Sequence, residues 1–195
     1  GMGSISPVPF ATPELMSKID AEVIQPSVRG LQAESMDFVG FLFIGLMIVE
    51  DVPYVLEYNV RMGDPETQSV FPRIASDVVD LFVAAAKGEL DQYNLQIRPE
   101  TAATVIAVSG GYPEAYQKGK IITGLDQISV ETLISHAGTA QKEGETVTSG
   151  GRVLAFTTLD ESAKDALAKS QKAAETVQFE GKYFRRDIGF DLELN

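Results

Sequence analysis

Glu57, Asn59, Arg61, Asp64 and Glu66 crowd into ten residues of the segment Glu57-Tyr58-Asn59-Val60-Arg61-Met62-Gly63-Asp64-Pro65-Glu66-Thr67-Gln68. Glu57 and Asn59 are two apart in a stretch that reads as a strand, so their side chains leave the same face. A carboxylate and an amide oxygen side by side are hard oxygen donors. They suit Mg²⁺ or Mn²⁺ that keeps its other positions for water and phosphate oxygens. Arg61 continues the alternation onto the same face and offers a planar cation for an anion. Asp64-Pro65-Glu66 also reads as a helix start, with Asp as N-cap, Pro at the first position and an acid in the first turn. A capped strand-to-helix turn with Arg61 as an ordinary ion-pair partner would use the same residues, and both readings stand at this level.

The elements that must position these residues are legible around them. Residues 41–49 are almost wholly apolar, Glu50-Asp51-Val52-Pro53 turns, and Tyr54-Val55-Leu56 leads into Glu57, which predicts a hairpin over 38–59. Upstream, Thr12-Pro13-Glu14 opens a helix, with Leu15, Ile19, Val23 and Ile24 at helical spacing. Pro26 predicts a kink or break before residues 28–33. Downstream, residues 65–71 predict a short helix stopped at Pro72. Ser76-Asp77 starts a longer one that ends near Gly88.

Residues 90–100 read as a linker into a second unit. Residues 102–108 form an apolar β-type run, followed by strands near 121–122, 130–136, 146–147, 152–158 and 183–185, and by an Ala- and Lys-rich helix over 161–177 that presents a solvated face. Gly110-Gly111-Tyr112-Pro113 lacks the Lys-Ser/Thr of a P-loop and reads as a tight turn. His136, the single histidine, has no Cys or second His to complete a metal site or triad, and reads as structural. Gly150-Gly151-Arg152 aims an Arg at a substrate phosphate or turns a hairpin; the turn is the simpler reading.

Composition narrows the class. The chain has 195 residues, no cysteine, 44% hydrophobic and 23% charged residues and a formal net charge of −12. That is the profile of a globular chain with a real core and no disulfide framework. No apolar run reaches the ~18 residues of a membrane span. The negative charge argues against nucleic-acid binding. A cytoplasmic location, with no membrane partner, is the corresponding expectation.

The 57–68 segment resembles the Glu-Phe-Asn-x-Arg-Phe-Gly-Asp-Pro-Glu-Thr-Gln signature of the phosphoribosylamine–glycine ligase (glycinamide ribonucleotide synthetase) family, part of the ATP-grasp superfamily. Tyr58 and Met62 stand where that family has Phe. Gly1-Met2-Gly3-Ser4-Ile5-Ser6-Pro7 resembles its Gly-Met-Gly-x-x-Ser-Pro loop. Gly110-Gly111-Tyr112-Pro113, His136-Ala137-Gly138-Thr139, Ser149-Gly150-Gly151-Arg152-Val153 and Arg186-Asp187-Ile188-Gly189 resemble successive blocks of its carboxy-terminal region, in order.

The resemblance implies an α/β (α+β) fold. A partial ATP-grasp core over residues 1–95 would contain the hairpin and helices, and a small α/β carboxy-terminal domain would occupy 96–195. It covers only the second half of a family member; the amino-terminal domain, the ATP lid and the first part of the grasp core have no counterpart here. The implied activity is ATP-dependent joining of glycine to 5-phosphoribosylamine in purine biosynthesis, with ATP as co-substrate and Mg²⁺ or Mn²⁺ as cofactor. Glu57 and Asn59 fall on the metal-ligand positions. Arg61 is expected to hold a substrate anion, and Asp64 and Glu66 to take glycine's ammonium or orient Arg61. The isolated chain is expected to be inactive. Its first half is expected to expose apolar surface through which two copies would dimerise. Residues from about 101 onward are expected to be the more stable part. A non-catalytic scaffold and another ATP-grasp ligase or carboxylase are the competing classes.

Overall fold

The computed structural model describes residues 1–192 and residue 194. The chain divides into two compact units. The first comprises Gly1–Pro7, Asp64–Arg73 and Ile97–Asn195; the second comprises Val8–Gly63 and Ile74–Gln96. Two segments depart from the expected 1–95 and 96–195 halves, because Gly1–Pro7 and Asp64–Arg73 pack with the carboxy-terminal residues.

The first unit is built on a four-stranded antiparallel sheet in the order β1-β4-β8-β5, from β1 (Gly3–Ser6), β4 (Thr101–Val108), β5 (Thr132–His136) and β8 (Arg152–Asp160). β1 was not expected: the Gly1–Pro7 segment reads as a loop. It is a strand because β4 offers an open edge, and Gly3, Ser4, Ile5 and Ser6 pair with Val105, Thr104, Ala103 and Ala102. Every residue of β4 is buried, since both faces of the sheet are covered. That is why β4 reads as a continuous apolar run rather than an alternating one. On one face lies α5 (Ala163–Thr176), whose Ala166, Leu167, Ser170, Ala173 and Ala174 are buried. The four apolar ones pack in a cluster with Ala103, Val105, Leu154 and Phe156, and the Ser170 hydroxyl donates to the Ala103 carbonyl (2.9 Å). The Ala- and Lys-rich pattern hides this inward face because its core residues are small. Ser162 caps α5 by accepting from the Asp165 amide. At the other end Lys182 Nζ donates to the carbonyls of Ala174 (2.6 Å), Glu175 (3.1 Å) and Val177, groups that a helix end leaves without internal partners.

The opposite face receives α3 (Glu66–Val70), which contacts β1, β4 and β8. Beyond α3, a 3₁₀ turn over Phe71–Arg73 brings the Arg73 guanidinium to the Ser6 hydroxyl (2.9 Å) and to the carbonyls of Glu100 (3.0 Å) and Arg98 (3.1 Å). A separate ribbon, β6 (Thr139–Lys142) with β7 (Glu145–Thr148), completes this unit. Residues 121–122 and 183 make isolated bridges, Ile121 to Val147 and Tyr183 to Val108, rather than strands.

The second unit has α1 (Pro13–Ile19), α2 (Gln25–Ala33), the hairpin β2 (Phe43–Val49) and β3 (Val52–Asn59), and α4 (Val78–Lys87). The Thr12 hydroxyl accepts from the Leu15 amide, as a cap should. Of the kink or break expected at Pro26, the break does not occur. A π-helical turn over Asp20–Ile24 precedes Pro26, and α2 continues from it. Widening the turn accommodates the proline's ring and missing donor without ending the helix. α4 runs from Asp77, whose carboxylate accepts from Val79 and Asp80 amides, to Gly88 in the left-handed region. In the hairpin, Glu50 and Asp51 both take positive φ (49° and 59°), matching a two-residue primed turn.

Burial separates the units sharply. The first holds the clustered core, whereas Leu15 and Val23 are the buried hydrophobic residues of the second. Met47, Val49, Tyr54, Val55, Leu56, Tyr58 and Val60 on and beside the hairpin are exposed. Among the described residues no helix is long and apolar enough to cross a membrane.

Candidate active-site segment

The segment singled out by its chemistry runs from the end of β3 into α3. Glu57 and Asn59 lie at the end of β3, opposite Gly45 and Phe43 of β2. A bulge falls between Gly45 and Leu46, so Glu57 pairs with Gly45 while Leu46 pairs with Val55. The bulge leaves Leu56 extra and sets the phase of the strand end that carries Glu57 and Asn59. A Cβ added to Gly45 would lie 3.0 Å from Glu57 Cγ, so the glycine leaves the stem of Glu57 its space. Glu57 is exposed and Asn59 half-buried. β3 ends at Asn59, so the expected strand alternation does not reach Arg61, which lies in the bend beyond it and folds back toward the strand end. Its guanidinium donates to the Asn59 side-chain oxygen (3.3 Å) and to the Met62 carbonyl (2.8 Å). Among the described residues no group of three or more His, Cys, Asp or Glu side chains is arranged to hold a metal by itself. The donor set offered by the strand is therefore two adjacent hard oxygens.

Asp64 and Glu66 belong to the first unit. The expected N-cap role of Asp64 is not observed. α3 starts one residue later than expected, with Pro65 at the cap position and no side-chain cap bond. The Asp64 carboxylate turns elsewhere, to an ion pair with Arg152 and to the Gln68 amide (3.4 Å). Arg152, the first residue of the strand expected over 152–158, opens β8 (Arg152–Asp160). It donates to the Asp64 carboxylate, the Asp64 carbonyl (3.0 Å) and the Gly1 carbonyl (3.2 Å). Glu66 sits in the first turn of α3, where a carboxylate is favoured by the helix dipole.

Behind this turn runs a line of hydroxyls that the sequence reading missed. Ser4 Oγ donates to the Pro65 carbonyl (2.9 Å). Ser4 and Ser69 hydroxyls are 2.6 Å apart, Ser69 and Thr104 2.7 Å, and Thr104 and Thr157 2.8 Å. Each hydroxyl has one proton. Because Ser4 spends its proton on Pro65, Ser69 donates toward Ser4, to its hydroxyl and at 3.3 Å to its carbonyl, so Thr104 donates to Ser69 and Thr157 to Thr104. Four elements, β8, β4, α3 and β1, are thereby aimed at one carbonyl beside Asp64. The only sequence signal was polar residues inside an apolar run, Thr104 and Thr157, whose partners are far away in the chain.

His136 is exposed at the end of β5, with Nδ1 3.0 Å from the Thr139 hydroxyl. Gly110-Gly111-Tyr112-Pro113 is a tight turn, closed by the Tyr112 amide on the Ser109 carbonyl (3.1 Å).

Comparison with known proteins gives this arrangement its class. Over 94% of the chain it superposes on the biotin carboxylase domain of a thermophilic 2-oxoglutarate carboxylase, with a TM-score of 0.63, 16% identity and 41% of that chain covered. At that identity the likeness speaks for the fold alone. The sequence model of the phosphoribosylglycinamide synthetase ATP-grasp (A) domain matches residues 1–67, and that of the C domain matches residues 102–191.

The chain belongs to the phosphoribosylglycinamide synthetase family. It is 45% identical over 192 residues to the phosphoribosylamine–glycine ligase of Vibrio vulnificus, a match that takes in 97% of this chain and 45% of the relative. The crystal structure of phosphoribosylamine–glycine ligase from Thermotoga maritima superposes with a TM-score of 0.83 and 39% identity, over 96% of this chain and 46% of that one. The chain thus spans a little under half the length of the relatives it matches.

Proposed function

We propose that this chain supplies the metal-ligand strand and the carboxy-terminal domain of a phosphoribosylamine–glycine ligase. That ligase joins glycine to 5-phosphoribosylamine with conversion of ATP to ADP and phosphate. The observation that carries the reading is the strand end with Glu57 and Asn59 side by side, in a sequence 45% identical to such a ligase.

Two adjacent hard oxygens fit a divalent cation, Mg²⁺ or Mn²⁺, that draws its remaining ligands from nucleotide phosphates and water. Such a cation would neutralise charge developing on the transferring phosphoryl group. Glu57 and Asn59 would hold it, and Arg61 keeps the Asn59 amide oriented with its oxygen as the acceptor. Arg61 also carries the positive charge for a substrate anion. Glycine's carboxylate takes the γ-phosphoryl group to become an acyl phosphate, and the amine of phosphoribosylamine then displaces phosphate. Glu66 and Asp64 are the acids beside the site for glycine's ammonium, Asp64 being the one already paired with Arg152.

Glu57→Gln in a ligase that includes these residues tests the reading. Turnover should fall about 10²- to 10³-fold, the scale of losing one preorganised electrostatic contact. The unfolding midpoint should barely move, because Glu57 is exposed. Preserved turnover with a lowered midpoint would refute the site. The 195-residue chain alone should give no glycine- and phosphoribosylamine-dependent phosphate release.

A further inference from the structure

The Asp64 turn is gripped by a residue far from it in sequence. Arg152 and Asp64 are 88 positions apart, and one guanidinium engages both the carboxylate and the carbonyl of Asp64. The Arg152 side chain is 24% exposed and that of Asp64 49%. The base of Arg152 is itself tightly seated. A Cβ on Gly138 would lie 2.5 Å from the Arg152 carbonyl and 2.6 Å from Gly150 Cα, and one on Gly151 would lie 2.4 Å from the Tyr112 ring. The hydroxyl line from Thr157 to Ser4 holds the next carbonyl, that of Pro65. The turn is thus fixed at Asp64 by a charged fork and at Pro65 by an uncharged chain.

We propose that Arg152 is a positioning residue for the ligase reaction, an inference that rests on the function proposed above. Its guanidinium commits the Asp64 carboxylate, orients the first turn of α3, and leaves Glu66 as the acid that meets glycine's ammonium. The planar fork suits this task, because two donors reach two oxygens of the same residue. A lysine ammonium supplies the charge without that geometry.

Two measurements test the proposal. In the 195-residue chain, Arg152→Ala should speed amide exchange at Asp64, Glu66 and Thr67 by about tenfold or more, as expected for local opening, and leave residues 101–108 unchanged. Arg152→Lys should give an intermediate effect and stands in if the alanine variant does not fold. Unchanged exchange at Asp64–Thr67 in the folded variant overturns the proposal. In a ligase containing these residues, Arg152→Ala should cut kcat/KM for glycine about 10- to 100-fold, the scale of a misplaced reacting group. The KM for ATP should stay within about threefold, and Arg152→Lys should recover part of the loss. Equal losses for ATP and glycine, or none, overturn the positioning role. Absence of any turnover in the unsubstituted ligase overturns the function reading, and with it the link to glycine, while the exchange result still decides whether Arg152 holds the turn.

Discussion

Thr104→Val removes one hydroxyl from the middle of the buried line and keeps the side chain's shape. Thr104 is fully buried, with Ser69 Oγ at 2.7 Å and Thr157 Oγ1 at 2.8 Å. Two hydrogen bonds are lost, each worth about 0.5–1.5 kcal/mol net, and the Thr157 proton loses its acceptor inside the protein. The expected cost is therefore about 1–3 kcal/mol. For a urea dependence of about 2 kcal/mol/M this lowers the unfolding midpoint by roughly 0.5–1.5 M. Amide exchange at residues 101–108 as a function of urea reads the loss in the first unit alone. Thr157→Val leaves Thr104 with one empty acceptor site. Because Thr157 only donates to Thr104, the double variant Thr104→Val/Thr157→Val should cost less than the sum of the singles, with a coupling of about 0.5 kcal/mol or more. A single-variant cost near zero, or strict additivity, would refute the directed hydroxyl line.

Two further outcomes are expected. The Asp160 carboxyl is held below its usual range, first by its hydrogen bond from Lys169 and then by the Ser162 amide, while Lys169 is raised by the same pairing. A depressed carboxyl contributes stability above its unfolded-state value that is lost as pH falls through the folded one. Urea midpoints of the unsubstituted chain and Asp160→Asn should accordingly differ at neutral pH and converge on acidification; a gap that persists in strong acid would contradict this. Gly138→Ala should destabilise by about 1–3 kcal/mol, as overpacking does, because the new methyl meets backbone atoms of Arg152 and Gly150 rather than a side chain that can swing away. A neutral thermal unfolding shift would count against the close approach of those two segments.

Local chemistry was readable where the chain satisfies itself. Thr12, Asp77 and Gly88 announce helix ends because each supplies its own cap or its own unusual φ. The hairpin is announced by an apolar run interrupted by polar residues. What could not be read depends on partners remote in the chain. Gly3–Ser6 carries no strand pattern of its own and becomes β1 because β4 waits about a hundred residues away. Asp64 has the sequence of a helix cap, yet Arg152 outcompetes the helix amides for its carboxylate. Pro26 has the local signal of a break, and only the helical backbone before it reveals the widened turn. Glu57 and Asn59 were identified as a pair by their spacing, but the bulge that sets their phase is a property of register with β2.

The pairing of β1 with β4 has a consequence for biosynthesis. Residues 101–108 are uncharged, rich in β-branched side chains and free of proline, the composition of a segment that self-associates when its edge is bare. Ile5 leaves the ribosome 98 residues ahead of its partner Ala103, roughly 5–20 s earlier at common elongation rates. The shielding strand is thus already present when the sticky one emerges, so translation delivers the protector before the hazard.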